Sequence, residues 1–285
     1  MPGLDDLAGR SFGPFPIEAS RARVLDLIAA TGDDPDRWGT QVPPYFANAA
    51  LFTVAPAFLG DEAVGRLTRS LIHSEQSFSW RRPLAVGEVM QVRGTVETLR
   101  ARGPMNLATF SFEAGSDQGM WATGSSVFLL SSEAAGESED ESEPAVDLRP
   151  PVDPMPPAPL PPPGGPLEPV GVGASRADLV KYAAATGDWN PIHWDHQAAR
   201  EAGLPGTIVH GLLMTAWMAR AAARFSPGLH PLVEMRARFR SPLRPGRGAA
   251  VGGSVLSVDD DAAEIDLVLA SGDDRIVTAR VRVTR

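Results

Sequence analysis

The sequence predicts an α+β fold that is built twice, as two antiparallel sheets that each wrap around a buried helix and pair as an internal pseudo-dimer. Three observations predict it. A helix with capping residues recurs at an offset of 155 residues, a strongly apolar helix follows in each half, and four strand-like runs come after that helix. A buried helix followed by consecutive antiparallel strands requires the sheet to cover the helix, because an apolar helix must bury its surface against another layer.

The first observation is the repeat. Residues 19–33 read A-S-R-A-R-V-L-D-L-I-A-A-T-G-D and residues 174–188 read A-S-R-A-D-L-V-K-Y-A-A-A-T-G-D, with nine of fifteen positions identical and no gap. In both copies the Ser stands where an N-cap belongs, and the Gly is a typical C-terminal stop. The repeat therefore predicts the same capped helix at the start of two related units.

The second and third observations are the elements that follow. Apolar helices are predicted over residues 44–55 and 211–225, and the latter is apolar nearly all round, which predicts burial. Strands are predicted in each half by runs rich in β-branched and aromatic residues. They span residues 67–80, 88–101, 105–114 and 119–130 in the first half, and 232–241, 249–258, 262–270 and 275–284 in the second.

The two halves are separated by a stretch with no core-forming pattern. Residues 131–144 are acidic and rich in Ser and Glu, and more than half of residues 150–169 are proline. Such a stretch buries too little apolar surface to offset the entropy of ordering it. We therefore predict an N-terminal unit at 1–131, a solvated linker at 132–169 and a C-terminal unit at 170–285.

Composition narrows the class of protein. The chain has 285 residues, with 26 basic and 35 acidic side chains giving a net charge of −9, and no cysteine. The missing cysteines exclude disulfides, thiolate metal sites and covalent thiol catalysis. No cleavable apolar leader or long apolar run is present, so we expect a cytoplasmic protein. The negative charge argues against nucleic acid or an anionic membrane as a partner.

Chemistry-bearing residues cluster in the second copy of the repeat, which continues as T-G-D-W-N-P-I-H-W-D-H. This brings Asp188, Asn190 and His193 into one short turn, since Asn-Pro ends the helix there. A carboxylate and an imidazole on one loop can hold a water and move a proton near neutral pH. The first copy keeps Asp33 but has Trp38 opposite the His. We therefore expect function in the second half only.

A second motif follows, G-L-P-G-T-I-V-H-G-L-L-M at residues 203–214, where Gly211 begins the buried helix. The first N–H groups of a helix have no partner within it and favour negative oxygen. Aimed at a thioester carbonyl, such an N–H would stabilise an enolate-like oxyanion. Together with a water held by Asp and His, these parts suit addition or loss of water at a double bond conjugated to a carbonyl.

These motifs, with the later R-A-R-F-R-S-P-L-R-P-G, resemble the MaoC-like, or hydratase 2, family of (R)-specific enoyl-thioester hydratases and 3-hydroxyacyl-thioester dehydratases. The resemblance covers residues 172–284. The first half is similar, more weakly, to the family's degenerate N-terminal unit, chiefly in H-S-E-Q-S-F-S-W-R-R-P-L-A-V-G. The resemblance implies a hot-dog fold duplicated as a double hot dog. It also implies Asp188 and His193 as the catalytic pair, Asn190 as their orienting neighbour and the Gly211 amide as oxyanion donor.

The function that follows is a hydro-lyase that needs no cofactor and interconverts a (3R)-hydroxyacyl thioester and the trans-2-enoyl thioester plus water. The thioester partner is acyl-CoA or an acyl carrier protein, and we expect a pseudo-dimeric monomer or a homodimer. Three alternatives stay open: hydration of a short branched or dicarboxylic enoyl-CoA, acyl-thioester binding without turnover, and thioesterase activity.

Other residues have weaker signals for substrate binding. Arg236, Arg238 and Arg240 alternate along one strand, which places them on one face. That face is solvated, or it grips phosphates of coenzyme A or phosphopantetheine. His210 is expected to pack or hydrogen-bond locally or to contact substrate, and Trp217 to pack in the core or rim and so affect the width of the acyl channel.

A metal site is not expected. Asp195 and His196, with the Asp and His of the catalytic loop, could be read as ligands, but no further regular ligand set accompanies them. The remaining histidines, His73 and His230, are predicted to be surface or strand residues.

Overall fold

The computed structural model describes residues 7–65, 70–103, 105–131 and 147–285. Within these residues the helices are α1 (Arg21–Thr31), α2 (Ala47–Leu59), α3 (Glu62–Gly65), α4 (Arg176–Thr186), α5 (His196–Glu201) and α6 (Gly211–Ala223). The strands of the first half are β1 (Ser11–Glu18), β2 (Ser70–Trp80), β3 (Val89–Arg102), β4 (Met105–Ser116) and β5 (Gly119–Ser131). Those of the second are β6 (Pro166–Val172), β7 (Leu232–Phe239), β8 (Ala249–Val258), β9 (Ala262–Ser271) and β10 (Asp274–Thr284).

The strands form one antiparallel sheet in the order β1-β3-β4-β5-β2-β7-β10-β9-β8-β6. Each half of that order is the other read backwards, because β1 to β5 correspond to β6 to β10. The halves join where β2 pairs with β7, with Glu75 opposite Arg238 and Phe78 opposite Met235. The predicted α+β class and the pairing of two sheets into an internal pseudo-dimer are therefore confirmed.

The sheet curves around α2 and α6. Every residue of α6 after Gly211 is buried, and the helix packs against β7, β8, β9 and β10. Helix α2 starts a few residues later than predicted, because Pro44–Phe46 form a 3-10 turn before it. No helix within the described ranges combines the length and the apolar character needed to cross a membrane.

The capped helices of the repeat are α1 and α4, and they pack against each other. Ser20 accepts a hydrogen bond from the Arg23 N–H at 3.4 Å, and Ser175 forms a reciprocal capping box with Asp178. Both helices end at the predicted glycines, whose φ angles of 71° and 90° lie in the left-handed region. Gly reaches this region without a steric penalty, so the sequence signal and the helix end coincide.

Two strands were not predicted, namely β1 and β6, which form the two outer edges of the sheet. Each contains two prolines, Pro14 and Pro16 in β1 and Pro166 and Pro169 in β6. Proline argues against a central strand because it cannot donate to the ladder, but an edge strand has one free side and tolerates it. The missing N–H groups explain why the sequence pattern concealed both strands.

The predicted linker, 132–169, differs from a solvated spacer in its described part. Its acidic portion, 132–146, lies outside the described residues. After that, Asp153 and Gly171 exchange hydrogen bonds, and the Ala158 N–H donates to the Arg224 carbonyl at 2.9 Å. The proline-rich chain therefore runs along the second half, and β6 begins inside the predicted linker. The division of the chain into three segments stays a prediction.

Candidate active site

The loop after α4 orients the predicted catalytic residues through short local hydrogen bonds. The Asn190 N–H donates to Asp188 Oδ1 at 3.4 Å. The Asn190 side chain accepts from the Ile192 N–H, also at 3.4 Å, and so caps the 3-10 turn Pro191–His193. Asn190 thus touches the carboxylate with its backbone and supports the turn that carries the imidazole with its side chain.

His193 is held in one tautomer. Its Nδ1 lies 2.8 Å from the Ile208 carbonyl oxygen. Because a carbonyl only accepts, Nδ1 carries the proton and Nε2 presents a lone pair. Burial lowers the pKa of His193 to about 4, although the Ile208 carbonyl opposes the shift. At neutral pH the imidazole is therefore uncharged and able to accept a proton.

Asp188 is buried as well, and burial raises its pKa to about 7 while the Asn190 N–H opposes the rise. The carboxyl group therefore exchanges its proton close to neutral pH. Donor or acceptor atoms of Asp188, His193 and His210 all lie within 4.8 Å of one another. A single water molecule can hydrogen-bond to two groups separated by this distance, since each of its hydrogen bonds covers about 2.8 Å.

His210 is fully buried behind this pair. Its ring stacks on that of His193, with centroids 3.8 Å apart, and its Nε2 lies 3.3 Å from the Asp188 carbonyl oxygen. The ring of Tyr182 also packs against that of His210, with centroids 4.9 Å apart. Of the two expectations for His210, local packing and hydrogen bonding describe its surroundings, and it is not among the residues that line the adjacent cavity.

Gly211 begins α6 as predicted and lines that cavity. A Cβ at this position would lie 3.1 Å from Cε1 and 3.2 Å from Cζ of Phe239. A side chain would therefore crowd the Phe239 ring at the start of the helix. Glycine keeps the first N–H groups of α6 accessible to a ligand oxygen.

The cavity has a volume of about 790 Å³ and both halves of the chain form it. The second half contributes the loop of Asp188 and His193 and the start of α6. The first half contributes an almost entirely apolar wall from α2, β2 and β5: Leu51, Phe52, Leu59, Leu71, His73 and Phe128. A cluster of polar side chains beside an apolar cavity of this size suits a ligand with a polar head and an acyl chain.

The structure separates the residues predicted to bind substrate. Arg240 lines the cavity. Arg236 and Arg238 are exposed on the outer face of β7 and form ion pairs with Glu234 and Glu75 at 2.7 and 3.0 Å. Arg240 differs because β7 ends at Phe239 and the chain turns there. Trp217 of α6 is buried in the hydrophobic core and does not line the cavity, because its side chain faces the packed interior.

The equivalent place in the first half is filled by protein. Asp33 accepts hydrogen bonds from Trp38 Nε1 at 2.9 Å and from the Tyr45 hydroxyl at 2.8 Å. Arg220 of α6 completes the cluster with an ion pair of 3.1 Å to Asp33, and both side chains are buried. Trp38 thus occupies the place that His193 has in the second half, as the repeat predicted.

Arg220 was not predicted, because it reaches Asp33 from the other half of the chain. It is the tenth residue of α6, and the tenth residue of α2 is Pro56, which lines the cavity. At this helix position, the arginine of α6 fills the space beside Asp33, whereas the proline of α2 leaves the cavity beside Asp188 open. The loop with Asp and His occurs only in the second half of the sequence, and the cavity lies beside that loop, whereas the equivalent place in the first half is filled.

The cluster of Asp188, His193 and His210 also has a donor set that a divalent cation such as Zn²⁺ accepts. The geometry of the two rings bears on that interpretation. Imidazole lone pairs lie in the ring plane, and these planes are stacked at only 24° to each other. Near-parallel rings direct their lone pairs side by side rather than toward one point, which favours acid–base chemistry.

Comparison with known proteins is consistent with this arrangement. Residues 160–270 match the family described as MaoC like domain. The chain is similar to 3-hydroxyacyl-thioester dehydratase X of Mycobacterium tuberculosis (strain ATCC 25618 / H37Rv), with 28% identity over 246 residues. That alignment covers 85% of this chain and 79% of the relative.

Solved structures share the fold over nearly the whole chain. A protein described as a MaoC-like dehydratase superposes with a TM-score of 0.82 at 20% identity, covering 99% of both chains. A Mycobacterium tuberculosis protein described as having a double hotdog fold superposes with a TM-score of 0.65 at 13% identity, covering 99% of this chain and 98% of its own. The fold is a double hot dog.

Proposed function

We propose that the protein, whose residues 160–270 match the family described as MaoC like domain, is a hydro-lyase that interconverts a (3R)-hydroxyacyl thioester and the trans-2-enoyl thioester plus water. The observation that carries the proposal is the buried pair of Asp188 and His193 at the head of a largely apolar cavity. The similarity to a 3-hydroxyacyl-thioester dehydratase over most of the chain supports a dehydratase.

The thioester carbonyl would lie at the start of α6. When the α-proton leaves or arrives, negative charge develops on the carbonyl oxygen. The Gly211 N–H and the helix dipole would stabilise that charge, because both are already oriented before the reaction. The glycine contributes by leaving room for the oxygen beside Phe239.

The proton transfers would use one proton shared by Asp188 and His193. In dehydration, His193 Nε2 takes the α-proton while protonated Asp188 gives its proton to the leaving hydroxyl. The C–H and C–O bonds break, the double bond forms, and water leaves. In hydration, Asp188 accepts a proton from water as the oxygen adds to the β-carbon, and His193 returns a proton to the α-carbon.

The acyl chain would occupy the cavity and the carrier would remain outside it. The apolar wall from the first half gives space for long or bulky chains, and this unit would take no part in proton transfer because its Asp33 is already paired. Arg240 would contact a phosphate of coenzyme A or of a carrier-bound phosphopantetheine.

The test is a spectrophotometric assay with a medium-chain trans-2-enoyl-CoA. Hydration abolishes the absorbance of the conjugated double bond, thioesterase activity releases free thiol, and a binding protein does neither. We expect hydration, reduced by orders of magnitude in Asp188→Asn and His193→Ala, with circular dichroism spectra close to wild type, which would show that both variants fold. His196→Ala is the matched control, since this histidine lies three residues further on and outside the cavity lining.

Full activity in both catalytic-loop variants would overturn the mechanism, and thiol release without loss of the double bond would overturn the reaction class. A second experiment, with a chelator, tests whether Asp188, His193 and His210 instead bind a metal ion. We expect hydration to be unchanged after dialysis against EDTA, whereas loss of activity that Zn²⁺ restores would assign the cluster to a metal.

A further inference from the structure

His73 occupies an unexpected position in the cavity wall. The pairing of β2 with β5 is irregular between His73 and Glu75, where β2 carries one extra residue. On the C-terminal side of this irregularity, the buried positions of β2 are the even-numbered Gln76, Phe78 and Trp80. A bulge of this kind shifts the alternation of side chains by one position. Beyond it, Ile72 is 56% exposed and His73 is half-buried, and both residues border the cavity.

The imidazole of His73 is set between two phenyl rings, those of Phe128 and Phe239, at centroid distances of 4.8 and 4.9 Å. Its Nε2 is shielded from solvent and has no hydrogen-bond partner among the residues that the structure describes. The side chain as a whole is half-buried and borders the cavity, so a ligand can contact the ring, and pairing with Nε2 requires the ring to turn toward the cavity. Leaving a buried polar atom unpaired costs about 1–3 kcal/mol, which a ligand partner would recover.

The charge state of His73 limits what that partner is. Burial lowers its pKa to about 4, and the backbone of Glu75 and the side chain of Gln76 oppose the shift. The ring is therefore neutral, with one donor and one acceptor. A neutral ring pairs with an uncharged hydroxyl or keto oxygen, whereas a cationic one would be needed to attract a carboxylate strongly.

The position along the cavity follows from Phe239. This ring contacts that of His73, with centroids 4.9 Å apart, and a Cβ at Gly211 would lie 3.1 Å from the same Phe239 ring. His73 is therefore one aromatic ring away from the start of α6, where the thioester carbonyl is placed by the proposed function. An acyl chain that leaves the reaction centre along this wall passes the imidazole several carbons beyond the double bond.

We propose that His73 is a specificity-determining residue, which hydrogen-bonds a hydroxyl or keto oxygen on the acyl chain and so selects oxygenated chains over unsubstituted ones. The proposal rests on the proposed function for the direction in which the chain runs. A site that pairs a substrate oxygen rejects the analogue lacking it far more strongly than an apolar wall discriminates between chain lengths.

The experiment compares kcat/KM for a trans-2-enoyl-CoA with that for chains of the same length carrying one hydroxyl, moved carbon by carbon beyond the double bond. Wild type should prefer one hydroxyl position. In His73→Phe the preference should fall by about tenfold or more, because KM should rise more for the hydroxylated chain than for the plain chain of the same length. His73→Gln, which keeps a donor and an acceptor, should restore part of it. Leu71→Phe, in the same wall, should alter chain-length preference without changing the effect of the hydroxyl.

Equal ratios in wild type and His73→Phe would overturn the proposal, as would the same loss on both substrates. If wild type hydrates neither chain, the proposed function fails, and calorimetric binding of hydroxyacyl-CoA and plain acyl-CoA then tests His73 by itself. A preference for the hydroxylated chain that disappears in His73→Phe supports the assignment, and equal affinities in wild type contradict it.

Discussion

The imidazoles of His193 and His210 stack with their centroids 3.8 Å apart and their planes at 24°. The Nε2 of His210 lies 3.3 Å from the Asp188 carbonyl oxygen and, because that oxygen only accepts, carries the proton. One buried side chain therefore contacts both members of the proposed catalytic pair without lining the cavity. From this geometry we expect His210 to act as a positioning residue rather than as a substrate contact.

Replacing His210 should lower turnover and leave substrate affinity largely intact. His210→Phe keeps a ring against His193 but loses the hydrogen bond to Asp188, and His210→Ala loses both. We expect kcat to fall about 10²-fold in the alanine variant and less in the phenylalanine variant, as for other small misplacements of catalytic groups. Steady-state kinetics would check this, and an increase in KM with kcat unchanged would instead indicate contact with substrate.

The pH dependence of kcat/KM should follow the number of protons on the Asp188–His193 pair. The pKa of His193 is about 4 and that of Asp188 about 7, so the pair holds one proton between these values. Activity should rise as His193 loses its proton and fall as Asp188 loses its own, as in other coupled pairs. A rate that continues to increase above pH 8 would contradict the shared proton.

The same carboxyl group should make stability depend on pH. Its pKa is raised in the folded protein from an ordinary value of 3.8 to about 7. The stability linked to the protonated group is therefore complete below pH 4 and is lost as the pH rises toward 7, because the unfolded chain releases this proton first. Asp188→Asn should gain in free energy of unfolding relative to wild type across this window, as measured by urea unfolding at several pH values.

Features contained in one continuous stretch of sequence could be predicted. The capped helices, the loop of Asp188 and His193 and the start of α6 at Gly211 depend on neighbouring residues. Four strands in each half follow from local pattern, whereas the proline-containing edge strands β1 and β6 do not. The contact of Arg220 with Asp33 and the position of His73 at the cavity could not be predicted in this way. Arg220 reaches Asp33 across the two halves, and His73 borders the cavity just beyond a bulge in β2.

The three arginines that alternate in the sequence should behave differently. Arg240 lines the cavity, whereas Arg236 is exposed on the outer face and paired with Glu234. If the carrier's phosphates bind beside Arg240, Arg240→Glu should raise KM for an enoyl-CoA about tenfold or more, because a charge-assisted contact becomes a repulsion. Arg236→Glu is the control and should leave KM within about twofold of wild type, since exposed ion pairs contribute little. Equal effects of the two changes would instead indicate general attraction between the surface and coenzyme A.

The ion pair of Asp33 and Arg220 should contribute to stability without contributing to turnover. Both side chains are buried, and Asp33 also accepts from Trp38 and Tyr45. Removing one partner leaves an uncompensated buried charge, so Arg220→Met should lower the free energy of unfolding by about 3–5 kcal/mol. Asp33→Asn combined with Arg220→Met removes both charges, and we expect it to recover part of that loss. Urea unfolding of the four proteins in the cycle measures the coupling, and enoyl-CoA hydration by each folded variant should stay close to wild type. A large loss of turnover in a stable Arg220→Met variant would show that the filled site of the first half influences the reaction in the second.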